Sequence, residues 1–187
     1  MNLKEAYANG TQIYLRAPTY SDAKGDWCQW LNDSETTKWL IDRFWPNSKK
    51  DQISFYKESH RKKTALILSI VDIKTHKHIG VCSLSSINWV HRYADIALII
   101  GDKKFRSGTI ALESIRLLLG IAFDKLNLEN IKGAYVEGNK YTPSLLGVFK
   151  FNRIGRYKNL CKIKGQKHNL VLVQLSSHKW RNLRRCE

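Results

Sequence analysis

The last third of the sequence is nearly devoid of acidic residues. No aspartate or glutamate lies between Glu137 and Glu187, whereas lysines and arginines recur throughout this segment. The 187-residue chain has a formal net charge of +16. A segment with one sign of charge creates a field that attracts polyanions. We expect a nucleotide-linked substrate, a nucleic acid or an acidic membrane surface as partner, rather than a cationic aminoglycoside. The alternative is a basic surface without a specific partner.

Cysteine pairs and long apolar runs are also missing. None of the four cysteines forms a C-x-x-C pair, which excludes the usual zinc and disulfide patterns: Cys28, Cys82, Cys161 and Cys186. His76 and His78 are spaced like metal ligands, but in a hairpin they are expected to be a surface pair. No apolar run approaches the ~20 residues of a membrane span, and the N-terminus has no hydrophobic signal core. The sequence therefore predicts a cytoplasmic protein without a metal or a membrane span.

A core-forming composition is present instead. Hydrophobic residues make up 43% of the chain, with six tryptophans, which favours a globular protein over a disordered one. The length suits one domain. The sequence shows no linker, repeat or low-complexity segment.

The most informative stretch runs from Arg92 to Phe123. Residues 93–100 are apolar except for Asp95, as expected for a strand covered on both faces. Residues 101–104 interrupt the apolar run, and a helix is predicted from Thr109. Its polar positions recur every three or four residues, which predicts a narrow solvated stripe on a buried helix: Glu113, Arg116, Gly120 and Asp124.

The connection between this strand and helix is basic and rich in small residues. Backbone N–H groups at a helix start, with the positive end of the helix dipole and nearby cations, bind phosphates. The residues concerned are Lys103, Lys104, Arg106, Ser107, Gly108 and Thr109. An ordinary connection with solvated lysines is the alternative reading.

The remaining elements follow from periodicity and turn residues. Strands are predicted over residues 11–16, 64–72, 78–87 and 130–137, with a final hairpin over 156–164 and 168–176. Helices are predicted after Thr19 or Ser21, after Ser34, over 49–63 and over 139–151, with Pro143 in a first turn.

This order of elements, with its local motifs, resembles the GCN5-related N-acetyltransferase (GNAT) superfamily, which acetylates amines with acetyl-CoA. The segment 94–98 is similar to the family's A-E-L-G-Y strand, and 106–111 to its R/Q-x-x-G-x-G/A loop. Asn139 begins a segment like its N-x-x-A helix. The resemblance covers roughly residues 11–176. It implies a mixed α/β (α+β) fold with a mostly antiparallel central sheet, splayed between two strands and flanked by helices. We expect one acetyltransferase domain over 1–177 and a basic tail over 178–187.

The resemblance also implies site residues. Asp95 matches the family's glutamate and is the expected general base, with His91 as the second candidate. An enclosed carboxylate on an apolar strand would take up a proton readily; an aspartate at a solvated strand entrance is the alternative. Backbone amides at the end of the central strand would orient the thioester, the loop would bind the pyrophosphate, and Asn139 would contact the pantetheine arm. The expected acetyl-CoA residues are Leu98, Ile99, Ile100, Lys104, Arg106, Ser107, Gly108, Thr109, Ile110, Ala111 and Asn139.

Two positions depart from the family pattern. Thr109 stands where the loop usually has glycine. Leu146 stands where many members carry a tyrosine that protonates the leaving thiolate. Because a thiol pKa near 8.5 makes the thiolate a good leaving group, the loss of this acid weakens the enzyme prediction without ending it.

Within the superfamily the resemblance is closest to the ribosomal-protein and amino-sugar-nucleotide branch. It rests on the segment from Arg16 to Asp22 and on residues 87–92, Ile-Asn-Trp-Val-His-Arg. It implies an anionic amine acceptor such as a nucleotide sugar. An amine carried by nucleic acid or by a ribosomal protein, and a non-catalytic CoA- or nucleic-acid-binding module, are the alternatives. The protein is expected to be a monomer or a homodimer.

Overall fold

The computed structural model describes residues 5–41, 45–59, 61 and 63–185. Within them, one eight-stranded sheet has the order β1-β2-β3-β4-β5-β6-β8-β7. The strands are β1 (Ala6–Asn9), β2 (Ile13–Arg16), β3 (Leu66–Asp72), β4 (His78–Asn88), β5 (Tyr93–Ile100), β6 (Asn130–Val136), β7 (Asn152–Ile163) and β8 (Gln166–Ser176). All neighbouring strands are antiparallel except β5 and β6, which are parallel. The predicted mixed, mostly antiparallel fold is confirmed.

Helices cover both faces of this sheet. They are α1 (Tyr20–Lys24), α2 (Trp27–Asn32), α3 (Ser34–Thr37), α4 (Lys49–Ser59), α5 (Gly108–Gly120), α6 (Tyr141–Val148) and α7 (Ser177–Arg185). A 3-10 turn over Lys103–Phe105 precedes α5, and a π-helical turn over Ile121–Lys125 follows it. Among the described residues, no helix is both long and apolar enough to cross a membrane.

The core has one large hydrophobic cluster and several smaller ones. Alternate residues of β2 to β5 pack against α5, where Leu118 and Leu119 are fully buried. On the opposite face, Trp27 and Trp30 of α2 pack on Val81 of β4. The sheet therefore separates an α5 side from an α1–α4 side, and this division fixes which β5 and β6 residues share a surface.

Most predicted elements are present with shifted ends. The central strand over 93–100 has the predicted bounds. The predicted helix over 139–151 is the shorter α6, with Pro143 in its first turn. The final hairpin begins at residue 152 rather than 156, and β1 was not predicted because its four residues have no clear alternation.

The segment predicted as a basic tail forms α7. It is held to the core by Trp180, which is 4% exposed and stacks on Phe123. The sequence signal was masked by the cations that surround Trp180 in the sequence, Lys179, Arg181, Arg184 and Arg185. The last two residues of the predicted tail, and residues 60 and 62 of the helix predicted over 49–63, lie outside the described residues.

A buried ion pair joins α1 to the sheet. The Asp22 carboxylate accepts two hydrogen bonds from the Arg16 guanidinium, at 2.6 and 2.9 Å, and one from Ser69 Oγ at 2.9 Å. It also accepts from the Thr19 N–H, while Thr19 caps α1 in return. His78 Nδ1 lies 3.5 Å away. This network seats the first helix on β2, β3 and β4.

Electrostatics favour the charged form of Asp22. Burial by itself raises the pKa of this carboxyl, but the hydrogen bonds from Arg16, positive charge on His78 and the Thr19 N–H outweigh it and lower the pKa to about 2. Burial lowers the pKa of His78, which packs against Trp30 and is not the surface histidine that the sequence predicted. Because the folded pKa of Asp22 is depressed from 3.8, its contribution to stability is present above about pH 4 and is lost as the pH falls toward 2.

We predict that Asp22→Asn lowers the free energy of unfolding by about 3–5 kcal/mol at pH 7, because it leaves the Arg16 charge buried without its partner. Urea unfolding of both proteins checks this, and the difference should shrink between about pH 4 and pH 2. A difference under about 1 kcal/mol at pH 7, or one that does not change in acid, would contradict this role of Asp22.

Candidate active site

The site begins where two parallel strands part. β5 and β6 are paired only over Tyr93–Asp95 and Asn130–Lys132. Beyond this point β5 stays paired with β4 as far as Ile100, and β6 stays paired with β8 as far as Val136. The two strands therefore diverge. The gap between the facing edges of residues 96–100 and 133–136 is the wedge. Backbone N–H and C=O groups along such an edge are available to a ligand that hydrogen-bonds like a strand.

Small residues line the wedge. At its narrow end a Cβ on Gly133 would lie 3.4 Å from Ile96 Cγ2, which is van der Waals contact. Ala97 of β5 and Ala134 of β6 are exposed, although both lie in the middle of the sheet. Leu98 and Ile100 turn the other way, into the core on the α5 side. The expected thioester-orienting segment, Leu98, Ile99 and Ile100, therefore offers its backbone to the wedge, while the small exposed side chains beside it are Ala97 and Ala134.

The N-terminus of α5 lies just beyond the end of β5. Ser107 caps the helix, and its Oγ accepts a hydrogen bond from the Ile110 N–H at 3.3 Å. Gly108 and Thr109 in the first turn are exposed, and a Cβ on Gly108 would meet nothing within 4 Å. This open, capped helix start has the features of an anion site. Thr109, which replaces the family's glycine, is exposed and leaves the helix start accessible. Ile110 is buried and Ala111 is partly buried.

Arg106 does not point freely into solvent. Its Nε donates to the Ile100 carbonyl at 3.1 Å and Nη2 to the Gly101 carbonyl at 3.2 Å. The same nitrogen contacts Thr36 and lies 3.7 Å from Asp33, in the α2–α3 region. Arg106 thus ties the end of β5 to α3. Of the two lysines in this loop, Lys103 pairs with Asp33 at 3.2 Å and Lys104 is exposed.

Gly101 allows the close approach of α2 to the end of β5. A Cβ at this position would lie 1.9 Å from the Trp30 ring, an overlap that the packing cannot accept. Trp30 is in turn packed against His78, with ring centroids 4.9 Å apart. The position of the loop that leads to α5 therefore depends on a glycine at residue 101.

Asn139 is buried and caps the start of α6. Its Oδ1 accepts from the N–H groups of Tyr141 and Thr142, at 3.0 and 3.2 Å, and its Nδ2 donates to Thr142 Oγ1 at 2.8 Å. These bonds use the side chain within the protein. A direct contact between Asn139 and a pantetheine arm stays a prediction, and the capping role is what the geometry supports.

Asp95 agrees with the alternative of a solvated aspartate rather than with an enclosed carboxylate. Its side chain is 38% exposed and lies 3.3 Å from the ammonium group of Lys132. The parallel register sets Lys132 directly beside Asp95, and this register is invisible in the sequence. Asp95 lies at the narrow end of the wedge, where the β5–β6 pairing ends. His91 is exposed in the turn before β5, on the other side of Asp95 from the open part of the wedge.

Sequence reasoning missed three side chains near the wedge. Lys132 and Ala134 of β6 alternate with core residues and lie on the α1–α4 side. Trp39 comes within 3.5 Å of the Cβ position of Gly138, just after β6. The polar position of Lys132 in an apolar strand was a usable signal. Within the described residues, no group of three or more His, Cys, Asp or Glu side chains is placed to hold a metal.

Residues 12–146 match the Acetyltransferase (GNAT) domain family, so the chain belongs to the GNAT acetyltransferases. It is therefore an acetyltransferase, as predicted. No curated protein sequence matches the chain.

Solved structures agree with this assignment. A spermidine N-acetyltransferase from Vibrio cholerae, in complex with CoA and spermine, has a TM-score of 0.83 at 20% identity and covers 92% of this chain and 100% of its own. A GCN5-related N-acetyltransferase from Brucella melitensis has a TM-score of 0.77 at 15% identity, covering 95% of this chain and 81% of its own. A GNAT-family acetyltransferase from Bacillus anthracis has a TM-score of 0.76 at 14% identity, covering 91% and 98%. At these identities the likeness establishes the fold. The ribosomal-protein and amino-sugar branch is not established by them.

We predict that Gly101→Ala lowers stability by about 1–3 kcal/mol, because the added methyl group overlaps Trp30. It should also weaken binding of CoA by displacing the loop before α5. Gly147→Ala in α6 is the control, because a Cβ there meets nothing within 4 Å and alanine favours a helix. Thermal unfolding and calorimetric titration with CoA measure both effects. Equal behaviour of the two variants would show that this packing does not position the loop.

Proposed function

We infer that the protein transfers the acetyl group of acetyl-CoA to a primary amine. The observation that carries this proposal is the parting of β5 and β6 beside the open N-terminus of α5. An extended pantetheine arm has hydrogen-bonding groups that suit a strand edge, and its pyrophosphate suits a helix start. The exposed Ala97 and Ala134 leave room for such an arm. These features support acetyl-CoA as the acyl donor.

Separate groups act on the acyl donor and on the acceptor amine. Bound acetyl-CoA supplies a thioester whose carbonyl carbon is open to attack by a neutral amine. Backbone N–H groups near residues 98–100 lie where they would orient the thioester oxygen. The Asp95 carboxylate accepts the proton that the acceptor amine gives up, directly or through water. The ion pair with Lys132 holds this carboxylate in place at the narrow end of the wedge.

No side chain at the position of the usual tyrosine helps the leaving group. Leu146 is 6% exposed and packs with Val171 and Val173 between α6 and the sheet. An ordinary thiol pKa near 8.5 lets the CoA thiolate leave without a proton donor. We therefore propose slower acetyl transfer rather than none.

We propose an anionic amine as acceptor, of which an amino-sugar nucleotide is one case. The net charge of +16 supports it, because a cationic protein attracts anions. Among the described residues, Asp95 at the narrow end of the wedge is paired with Lys132, and Asp33 beside the loop before α5 is paired with Lys103. The Vibrio cholerae protein acts on spermidine. A polyamine would have to compete with Lys132 to reach Asp95.

Calorimetric titration with acetyl-CoA tests the proposed donor. We predict micromolar affinity or better and thermal stabilisation that increases with ligand concentration, because a ligand that binds the folded state stabilises it. Absence of both heat and stabilisation at millimolar acetyl-CoA would overturn the proposal.

The variant Asp95→Asn tests the proposed role of Asp95 in proton removal. It should leave the affinity for acetyl-CoA unchanged and cut acetyl transfer, measured as release of CoA thiol, by roughly 100-fold. Full activity in this variant would assign proton removal to water or to His91. Binding of acetyl-CoA without transfer to any amine would favour the non-catalytic module instead.

A nucleic-acid-borne amine is the second candidate, favoured by the β7–β8 hairpin. β7 is the edge strand of the sheet and is mostly exposed, with Tyr157 at 55% and Leu160 at 59%. Lys179 of α7 donates to Asn152 at the start of β7, which brings cations of both elements together. Basic side chains interleaved with an exposed aromatic ring are typical of single-strand binding. The cations of β7 are Arg153, Arg156, Lys158 and Lys162.

If this candidate is correct, a single-stranded RNA should bind with log affinity falling against log salt by about 0.7 per phosphate contact. Replacing Lys158 and Lys162 by glutamine should reduce that slope, whereas the same change at Lys50 and Lys74, outside the hairpin, should not. A fluorescence anisotropy titration between about 50 and 200 mM salt measures it. Weak binding with equal slopes in all three proteins would leave the small anionic amine as the acceptor.

A further inference from the structure

The surface beside the wedge on the α1–α4 side has a defined set of residues. On β5, Ile96 and Leu98 pack into the core on the α5 side, so Asp95 and Ala97 face the opposite side. On β6, Ile131 is in the core, so Lys132 and Ala134 face the same side as Asp95. The two charged residues lie at the narrow end, and the two exposed alanines lead from them along the wedge. An acceptor amine that approaches a thioester in the wedge meets this Asp95–Lys132 pair.

Lys132 is held in place by two contacts. Its ammonium group lies 3.3 Å from Asp95 Oδ1 and 4.7 Å from the centre of the Tyr93 ring. The side chain remains 43% exposed, so the charge is open to a ligand as well as to Asp95. A second ammonium group brought in by an acceptor would compete with Lys132 for the same carboxylate and would be repelled by it.

Farther along β6, Glu137 belongs to the other face of the sheet. It lies 3.3 Å from Arg153 and 3.7 Å from Arg156, which stand opposite Val173 and Val171 of β8, and these valines pack with Leu146 of α6. An acceptor on the α1–α4 side therefore meets the Asp95–Lys132 pair and not Glu137.

We propose that Lys132 is a specificity-determining residue that disfavours polycationic acceptors. It does so by placing a fixed positive charge beside Asp95, which repels the additional ammonium groups that a polycation carries besides its reacting amine. The inference rests on the proposed acetyl transfer to amines and assigns to one residue the choice among them. Because Lys132 acts on binding of the acceptor, its effect should appear mainly in KM for the amine rather than in kcat.

The test compares acetylation of spermidine by four proteins, measured as release of CoA thiol. Lys132→Gln removes the charge and should raise kcat/KM for spermidine by about 10-fold or more, mostly through a lower KM. Lys132→Arg keeps the charge and should behave like the wild type. Lys74→Gln removes the same charge from the turn between β3 and β4 and should also match the wild type. Thermal unfolding shows whether each variant folds, and Lys132→Ala replaces Lys132→Gln if the latter does not.

Two results would overturn the role of Lys132. One is efficient use of spermidine by the wild type, equal to that by Lys132→Gln. The other is unchanged poor use by Lys132→Gln and Lys132→Ala. Calorimetric titration of each protein with acetyl-CoA separates these results from failure of the proposed function. If the wild type does not bind acetyl-CoA, the proposed function itself is overturned. If the wild type and the Lys132 variants bind acetyl-CoA normally and have the same spermidine kinetics, the role of Lys132 is overturned.

Discussion

The short parallel pairing of β5 and β6 is the constraint on which the site depends. Three residues of each strand are paired, and then each strand follows its other neighbour, β4 or β8. Because both strands keep those antiparallel partners, the gap between them cannot close by a shift of either one. The crossover between the parallel strands contains α5, so the helix start proposed to bind the pyrophosphate lies beside the open end of the same gap. Donor and acceptor surfaces thus follow from one feature of the topology.

Packing on both faces keeps this geometry fixed. On the α1–α4 side, the buried Arg16–Asp22 pair seats α1, and Trp30 lies against Gly101 at the end of β5. On the α5 side, Glu113 accepts hydrogen bonds from Thr11 Oγ1 and from the Gln12 N–H, which joins the β1–β2 turn to the helix. These contacts restrain the elements on both sides of the wedge.

Local order was predictable from the sequence, and contacts between distant segments were not. The central strand could be predicted because residues 93–100 are apolar and end at Gly101, and the helix because apolar residues recur at helical spacing after Thr109. The environment of Asp95 could not, because Lys132 becomes its neighbour only through the register of β6. The contacts of Arg106 with Ile100 and Gly101, and the capping bonds of Asn139, likewise depend on how separate segments meet. Trp180, the apolar anchor of α7, was hidden among cations in a segment that composition alone marks as a tail.

Amide hydrogen exchange with and without CoA tests most directly whether the wedge binds the pantetheine arm. If it does, CoA should slow exchange of the amides of residues 96–100 on the open edge of β5 and of residues 108–110 at the start of α5. These amides should gain protection together, at the concentration that saturates binding. Protection confined to the β7–β8 hairpin, or unchanged exchange in β5 at saturating CoA, would contradict the assignment of the wedge as the donor site.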